Sequence, residues 1–146
     1  MKLLKSQFKK LNYKLKAIGV KNIKEAENLN LIKIIDININ FKDPFKIKKH
    51  ITSNYVKSSL ELLHKMGCSK NVAGVINLPI SKNLLPQKNI GVTEYLASKC
   101  KIKNGSEAML IHNDNFSVSP ISTHIDLRKV TMKINKTLII NKVTTI

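Results

Sequence analysis

The sequence predicts an α/β fold, with alternating helices and strands around a mostly parallel sheet. Three observations carry that expectation. Apolar residues recur at three- and four-residue steps in two stretches, which is helical periodicity. Between the helical stretches lie runs dense in Ile and Val, which suit strands. The order of helix then strand repeats along the chain, as it does where crossover helices join parallel strands. At 146 residues there is room for one domain with a real core, and not for two of ordinary size.

The elements follow in order. Leu3, Leu4, Phe8 and Leu11 share one face, so residues 2–12 read as an amphipathic helix. Ala17 to Val20 reads as a short strand. Residues 31–39, LIKIIDINI, are rich in β-branched side chains and read as a second strand, punctuated by Lys42-Asp43-Pro44. The strongest helix comes next: Thr52 or Ser53 can cap it, Val56, Leu60, Leu63 and His64 fall on one face, and Gly67 is its stop. Asn71 to Pro79, NVAGVINLP, reads as a buried strand. A loop with Lys82, Pro86 and Gly91 leads to a short helix, Thr93 to Lys99, with Thr93 as N-cap. Ala108 to His112 and Phe116 to Ser119 read as strands joined by a turn at Asn113-Asp114-Asn115. Asp126 to Asn135 reads as helical. The tail from Lys136 to Ile146 supports either strand or helix.

Composition narrows the function classes. No apolar run approaches the length of a membrane-spanning helix. Lysines at positions 2, 5, 9, 10, 14 and 16 interrupt any signal-peptide core, so a cytoplasmic protein is expected. The net charge of +17 suggests a polyanion partner. Against it, only Arg128 among 26 basic residues is Arg, and the bidentate guanidinium is the group that reads bases and clamps phosphates. Lysine is also spread along the chain and accompanied by 20 Ile and 16 Asn, the signature of compositional drift in an AT-rich genome. Nucleic acid and membrane are therefore disfavoured as partners.

Four places can carry chemistry. Lys82 follows a predicted strand end, where open α/β sheets bind ligands; the alternative is a solvated loop lysine. GVTEYLASK, Gly91 to Lys99, opens a helix at Thr93, and free N–H groups there attract anions; the alternative is an ordinary capped helix. His124 in STHIDL lies between a predicted strand and a helix, where an imidazole can ligate a metal. A lone histidine is also a common structural residue, since a catalytic zinc needs about three protein ligands. Cys68 and Cys100 lack a CxxC partner, are not read as paired with a histidine, and are taken as reduced packing residues.

Taken together, three stretches resemble one family. LELLHKMGCSKNVAGVINLPISKNLL, GVTEYLASK and MLIHNDNFSVSPISTHIDLRKV, in this order, are similar to the 4-hydroxythreonine-4-phosphate dehydrogenases of vitamin B6 biosynthesis. That family shows a strand ending in Gly-Pro-x-x-Lys, a G-H-T-E helix start, a Met-rich strand and a T-T-H-x-x-L segment before a helix. The resemblance runs from about Leu60 to Val130 and fits the first 50 residues more loosely. It implies an oxidoreductase with a partial isocitrate/isopropylmalate dehydrogenase-like fold. The implied reaction is NAD-dependent oxidation, with decarboxylation, of 4-phosphohydroxy-L-threonine, assisted by a divalent metal such as Zn, Mg or Co. It implies a homodimer. By the same match His124 is one of three histidine metal ligands, Thr93 is half of a His-Thr pair on the substrate, and Lys82 lies beside the pocket. The three side chains are expected to open onto a shared hollow.

The departures are as specific. Val92 stands where the family has the substrate-contacting His, and Leu78 where it has Gly. The family's N-terminal Gly-Glu-Pro-x-Gly segment and the other two metal ligands have no counterpart. We therefore expect a truncated or degenerate member: residues 1–146 as a single partial domain, with a looser part to about residue 50, a core region at 51–135 and a tail at 136–146. The expectation is that this chain is inactive alone; a second hypothesis is that another polypeptide supplies the missing segments. The competing expectations are a lysine-rich RNA or polyanion-binding module, built on an N-terminal third where Phe8 and Tyr13 interleave with charge, and a non-catalytic remnant.

Overall fold

The computed structural model describes the whole chain except Leu15, residues 23–24 and 26–30, Lys70, and residues 86–90 and 101–105. It divides into two units, Met1–Ile90 and Gly91–Ile146.

The first unit opens with α1, Lys2–Lys10. Lys9 and Lys10 in its last turn complement the helix dipole. It ends two residues short of the expected stop because Asn12 turns left-handed, at φ 55°. The Asn12 N–H then bonds the Lys9 carbonyl at 3.4 Å and the Tyr13 N–H bonds the Phe8 carbonyl at 3.0 Å, which is a Schellman ending. The apolar contact that accompanies such an ending is Tyr13 edge-on to Phe8, with ring centroids 6.3 Å apart. The expected pair of strands forms, in shortened form. β1, Ala17–Gly19, lies parallel to β2, Ile32–Ile34, with Ala17 opposite Ile32. Residues 35–39 continue beyond the ladder and bring Ile39 into the core at 9% exposure. Lys10 bridges Asp43 at 2.8 Å and ties α1 to the Asp43-Pro44 turn, and the N-terminal amine pairs with Asp36.

α2 spans Lys49–Gly67, so Thr52 and Ser53 sit inside it rather than capping it. Their hydroxyls are used elsewhere. Thr52 donates to the Lys48 carbonyl at 3.2 Å, and Ser53 donates to the Leu84 carbonyl at 2.7 Å. The second bond fixes α2 against a 3₁₀ turn at Lys82–Leu84. Leu60, seven residues from Ser53 and so on the same face, is the most buried apolar side chain described, at 2% exposure. The helix ends at Gly67, where a Cβ would lie 3.2 Å from the Val75 side chain; glycine makes that approach possible.

Asn71 to Pro79 departs from expectation. Among the described residues it forms no strand ladder, and Ile76 and Leu78 stand 92% and 78% exposed. The composition is that of a buried strand, but such a strand needs a hydrogen-bonded neighbour on each edge and cover on each face, and the described residues supply no such neighbour.

The second unit begins with α3, Val92–Lys99, capped by Gly91 in extended conformation. Thr93 is thus the second helical residue and not the N-cap. Glycine is an acceptable N-cap, and Glu94 in the first turn complements the dipole. β3, Ile111–His112, pairs antiparallel with β4, Ser117–Val118. The expected turn joins them: the Asn113 side chain accepts from the N–H groups of Asn115 and Phe116 at 2.8 and 3.1 Å. The helix expected at Asp126 to Asn135 is divided into a 3₁₀ turn, Leu127–Lys129, and α4, Val130–Lys133. The tail is helical: α5 spans Lys136–Thr145, and Asn135 caps it by accepting from the Leu138 N–H at 2.9 Å. Lys142 on α5 is buried at 8% exposure and donates to the Glu107 backbone carbonyl.

Among the described residues the result is mixed α/β with two small two-stranded sheets, one parallel and one antiparallel. Both cysteines are exposed, which corrects their reading as packing residues. No described helix is long and apolar enough to cross a membrane.

Candidate functional site

Lys82 belongs to the first unit and opens the 3₁₀ turn Lys82–Leu84. Its side chain is exposed. The turn is placed by the Ser53 hydroxyl on the Leu84 carbonyl and by the Leu85 N–H on the Lys82 carbonyl at 3.1 Å. The ammonium thus projects from an anchored backbone.

Thr93 and His124 belong to the second unit, and both are exposed. Thr93 is on the first turn of α3, and the adjacent Tyr95 anchors that helix at 6% exposure. His124 adopts φ 51°, a left-handed conformation that is uncommon outside glycine and costs conformational energy. Two residues on, a carboxylate–guanidinium cluster follows. Asp126 accepts the Arg128 N–H at 3.1 Å and takes the Arg128 guanidinium on both carboxylate oxygens, at 3.4 and 3.0 Å. The guanidinium, and then the backbone N–H, hold the Asp126 carboxyl below the usual carboxylate range. Neither the Thr93 hydroxyl nor the His124 imidazole bonds to a described residue, so both are available to a ligand.

His124 does not by itself meet the needs of a catalytic metal. No cluster of three or more His, Cys, Asp or Glu side chains among the described residues includes it, and a catalytic divalent ion requires about three protein ligands. The sequence also contains no G-x-G-x-x-G run.

Sequence reasoning missed two features of the first unit. A cavity of about 460 Å³ at the start of α2 is lined by the apolar Phe41, Ile47 and Ile51 together with Lys42, Lys46, Lys48 and His50; the clustering of lysine around residue 46 was a partial signal. The second is a pair at the far end of the same helix. The Cys68 Sγ lies 3.5 Å from the His64 Nε2, and the spacing of four residues on a predicted helix was its signal.

Comparison with known proteins settles the class. The family model for the pyridoxal phosphate biosynthetic protein PdxA matches residues 1–146. The chain is 32% identical over 137 residues to a 4-hydroxythreonine-4-phosphate dehydrogenase from Sulfurihydrogenibium sp. (strain YO3AOP1), covering 84% of this chain and 39% of that relative. No solved structure matches at a significant level. The chain belongs to the PdxA family of pyridoxal phosphate biosynthetic proteins. It spans about two-fifths of the length of the curated relative it matches.

Proposed function

We propose that this chain serves vitamin B6 biosynthesis as part of an NAD-dependent dehydrogenase that oxidises and decarboxylates 4-phosphohydroxy-L-threonine in the cytoplasm. The observation that carries the reading is the family match over residues 1–146. In it His124 presents an imidazole toward a divalent metal, and Thr93 presents a hydroxyl to the substrate. Lys82 offers a point charge to a phosphate or carboxylate. The exposure of all three side chains supports these roles, because each group is free to meet a ligand. A divalent ion, when bound, polarises the substrate oxygens and favours loss of the alcohol proton. Val92 offers neither hydrogen bond nor charge, so this chain holds the substrate through fewer groups than the family pattern provides.

The chain acts with a partner, as a homodimer or with a complementing polypeptide that supplies the remaining metal and NAD contacts. The lone imidazole at 124 supports this reading, since one ligand does not hold a catalytic ion. The test is NAD reduction with 4-phosphohydroxy-L-threonine. The purified chain alone is expected to be silent, and a mixture with a polypeptide carrying two further histidine ligands is expected to turn over, with loss of turnover in His124→Ala. Turnover by the chain alone sinks the incomplete-site reading, and turnover unaffected by His124→Ala removes the metal role.

A second reading draws on the net charge of +17 and the lysine-rich N-terminal third: a polyanion-binding module. Its mark is retention on single-stranded RNA that falls steeply with salt. Negligible binding at about 150 mM salt ends it.

A further inference from the structure

We propose that His64 and Cys68 form a two-ligand chelate for a soft divalent cation such as Zn²⁺, on a helix end separate from the residues assigned above. Both lie at the C-terminal end of α2, Lys49–Gly67. Cys68 follows the last helical residue but keeps right-handed helical angles, φ −77° and ψ −11°. Its N–H still bonds the His64 carbonyl at 2.9 Å. The backbone therefore carries the two side chains on one face, a single turn apart, as helical i and i+4 residues are.

The distance also fits metal chemistry. The Cys68 Sγ and His64 Nε2 are 3.5 Å apart. In a tetrahedral zinc site the metal–sulfur bond is about 2.3 Å and the metal–nitrogen bond about 2.0 Å, which sets the two donors about 3.5 Å apart. The pair thus stands at the edge length of such a site without rotamer change. Without metal the same approach is a weak hydrogen bond between thiol and imidazole, its direction set by the tautomer.

Three further facts favour a cation here. The thiolate and the neutral imidazole are the donor types that select zinc and related soft or borderline ions over magnesium or calcium. The helix end carries the negative pole of the dipole, which attracts positive charge. Cys68 is exposed and His64 half-exposed, so an ion can reach both donors. Binding releases the thiol proton to solvent and leaves two coordination positions for water or an incoming donor.

The test uses the full chain under reducing conditions, with Co²⁺ as the spectroscopic probe and Zn²⁺ as competitor. The wild-type protein is expected to develop a thiolate-to-cobalt charge-transfer band together with tetrahedral d–d bands, both erased by Zn²⁺. Cys68→Ser and His64→Ala are each expected to lose these bands while keeping the helical circular dichroism of the parent. Zn²⁺ is expected to raise the melting temperature of the wild type and of neither variant. Absence of the bands in the wild type at excess Co²⁺, or their survival in either variant, overturns the proposal. Since neither readout involves turnover, the outcome is independent of the dehydrogenase reading.

Discussion

Leu60→Ala tests whether α2 organises the first unit. Leu60 is 2% exposed and lies on the face that carries the Ser53 bond to the Leu84 carbonyl. The substitution deletes three buried carbons, worth about 2.4 kcal/mol at roughly 0.8 kcal/mol each. A residual cavity adds to that, and measured core Leu→Ala losses run about 2–5 kcal/mol. No described side chain is completely enclosed, so neighbours can settle into the gap and the cavity term stays small. The expected loss is therefore about 2.5–3 kcal/mol, near the low end of that range. Urea unfolding followed by helical circular dichroism measures it, with Ile76→Ala as the control. Ile76 is 92% exposed, and its truncation is expected to move stability by less than about 0.5 kcal/mol. A Leu60→Ala loss below about 1 kcal/mol, or an equal loss from Ile76→Ala, refutes the view that α2 is seated through this face.

Four other outcomes follow from particular groups. Tyr95→Phe is expected to hold or raise the melting temperature, because the Tyr95 hydroxyl is buried with no hydrogen-bond partner among the described residues and a stranded buried hydroxyl costs about 1–3 kcal/mol; a lower melting point counts against that. Asn135→Ala removes the cap that accepts the Leu138 N–H and is expected to cost about 1 kcal/mol, read as reduced protection of the α5 amides in hydrogen exchange. His124→Gly relieves a left-handed residue at φ 51° and is expected to stabilise the fold by about 1 kcal/mol in thermal unfolding; a destabilised variant shows that the imidazole itself contributes to the fold. Asp126 has a carboxyl held below its ordinary value of 3.8 by Arg128. Its contribution is thus fully present above the ordinary value and lost as pH falls through the lowered one. An NMR titration should place its midpoint below that of Asp126 in Arg128→Ala, and coincident midpoints would remove the guanidinium as the cause.

What the sequence discloses and what it hides have physical reasons. α1, β1, the hairpin turn at Asn113 and the helix after Gly91 are legible because each is specified within a few residues, by periodicity or by a side chain bonding its own backbone. The start of α2 is not, because Thr52 and Ser53 look like caps while one hydroxyl bonds back within the helix and the other reaches Leu84, 31 residues away. Asn71 to Pro79 misleads for a related reason. Its Val and Ile content describes the environment a strand needs, and the neighbours that would provide it are a tertiary matter. Lys82, Thr93 and His124 lie at a 3₁₀ turn, in a first helical turn and at a bend before a 3₁₀ turn; the strand expected before Lys82 has no ladder, and Gly91 rather than Thr93 is the N-cap. The His64–Cys68 pair was readable from its spacing alone; it was missed because the cysteines were weighed as core residues and not as neighbours on a helix.

The conformation of His124 bears on the ligand role proposed for it. A non-glycine residue at φ 51° costs about 1–2 kcal/mol relative to the right-handed alternative, and such strain persists where the surroundings over-determine it. Here the surroundings are thin. The imidazole is exposed and makes no hydrogen bond among the described residues, and the local restraint is the Asp126–Arg128 cluster two residues on. Drift favours the unstrained choice when nothing opposes it, and glycine or asparagine would fill this conformation at lower cost. A metal ion bound at that bend, the role proposed for His124 above, would supply a reason for an exposed histidine in this conformation. The gain in stability expected for His124→Gly measures the conformational cost of the left-handed bend.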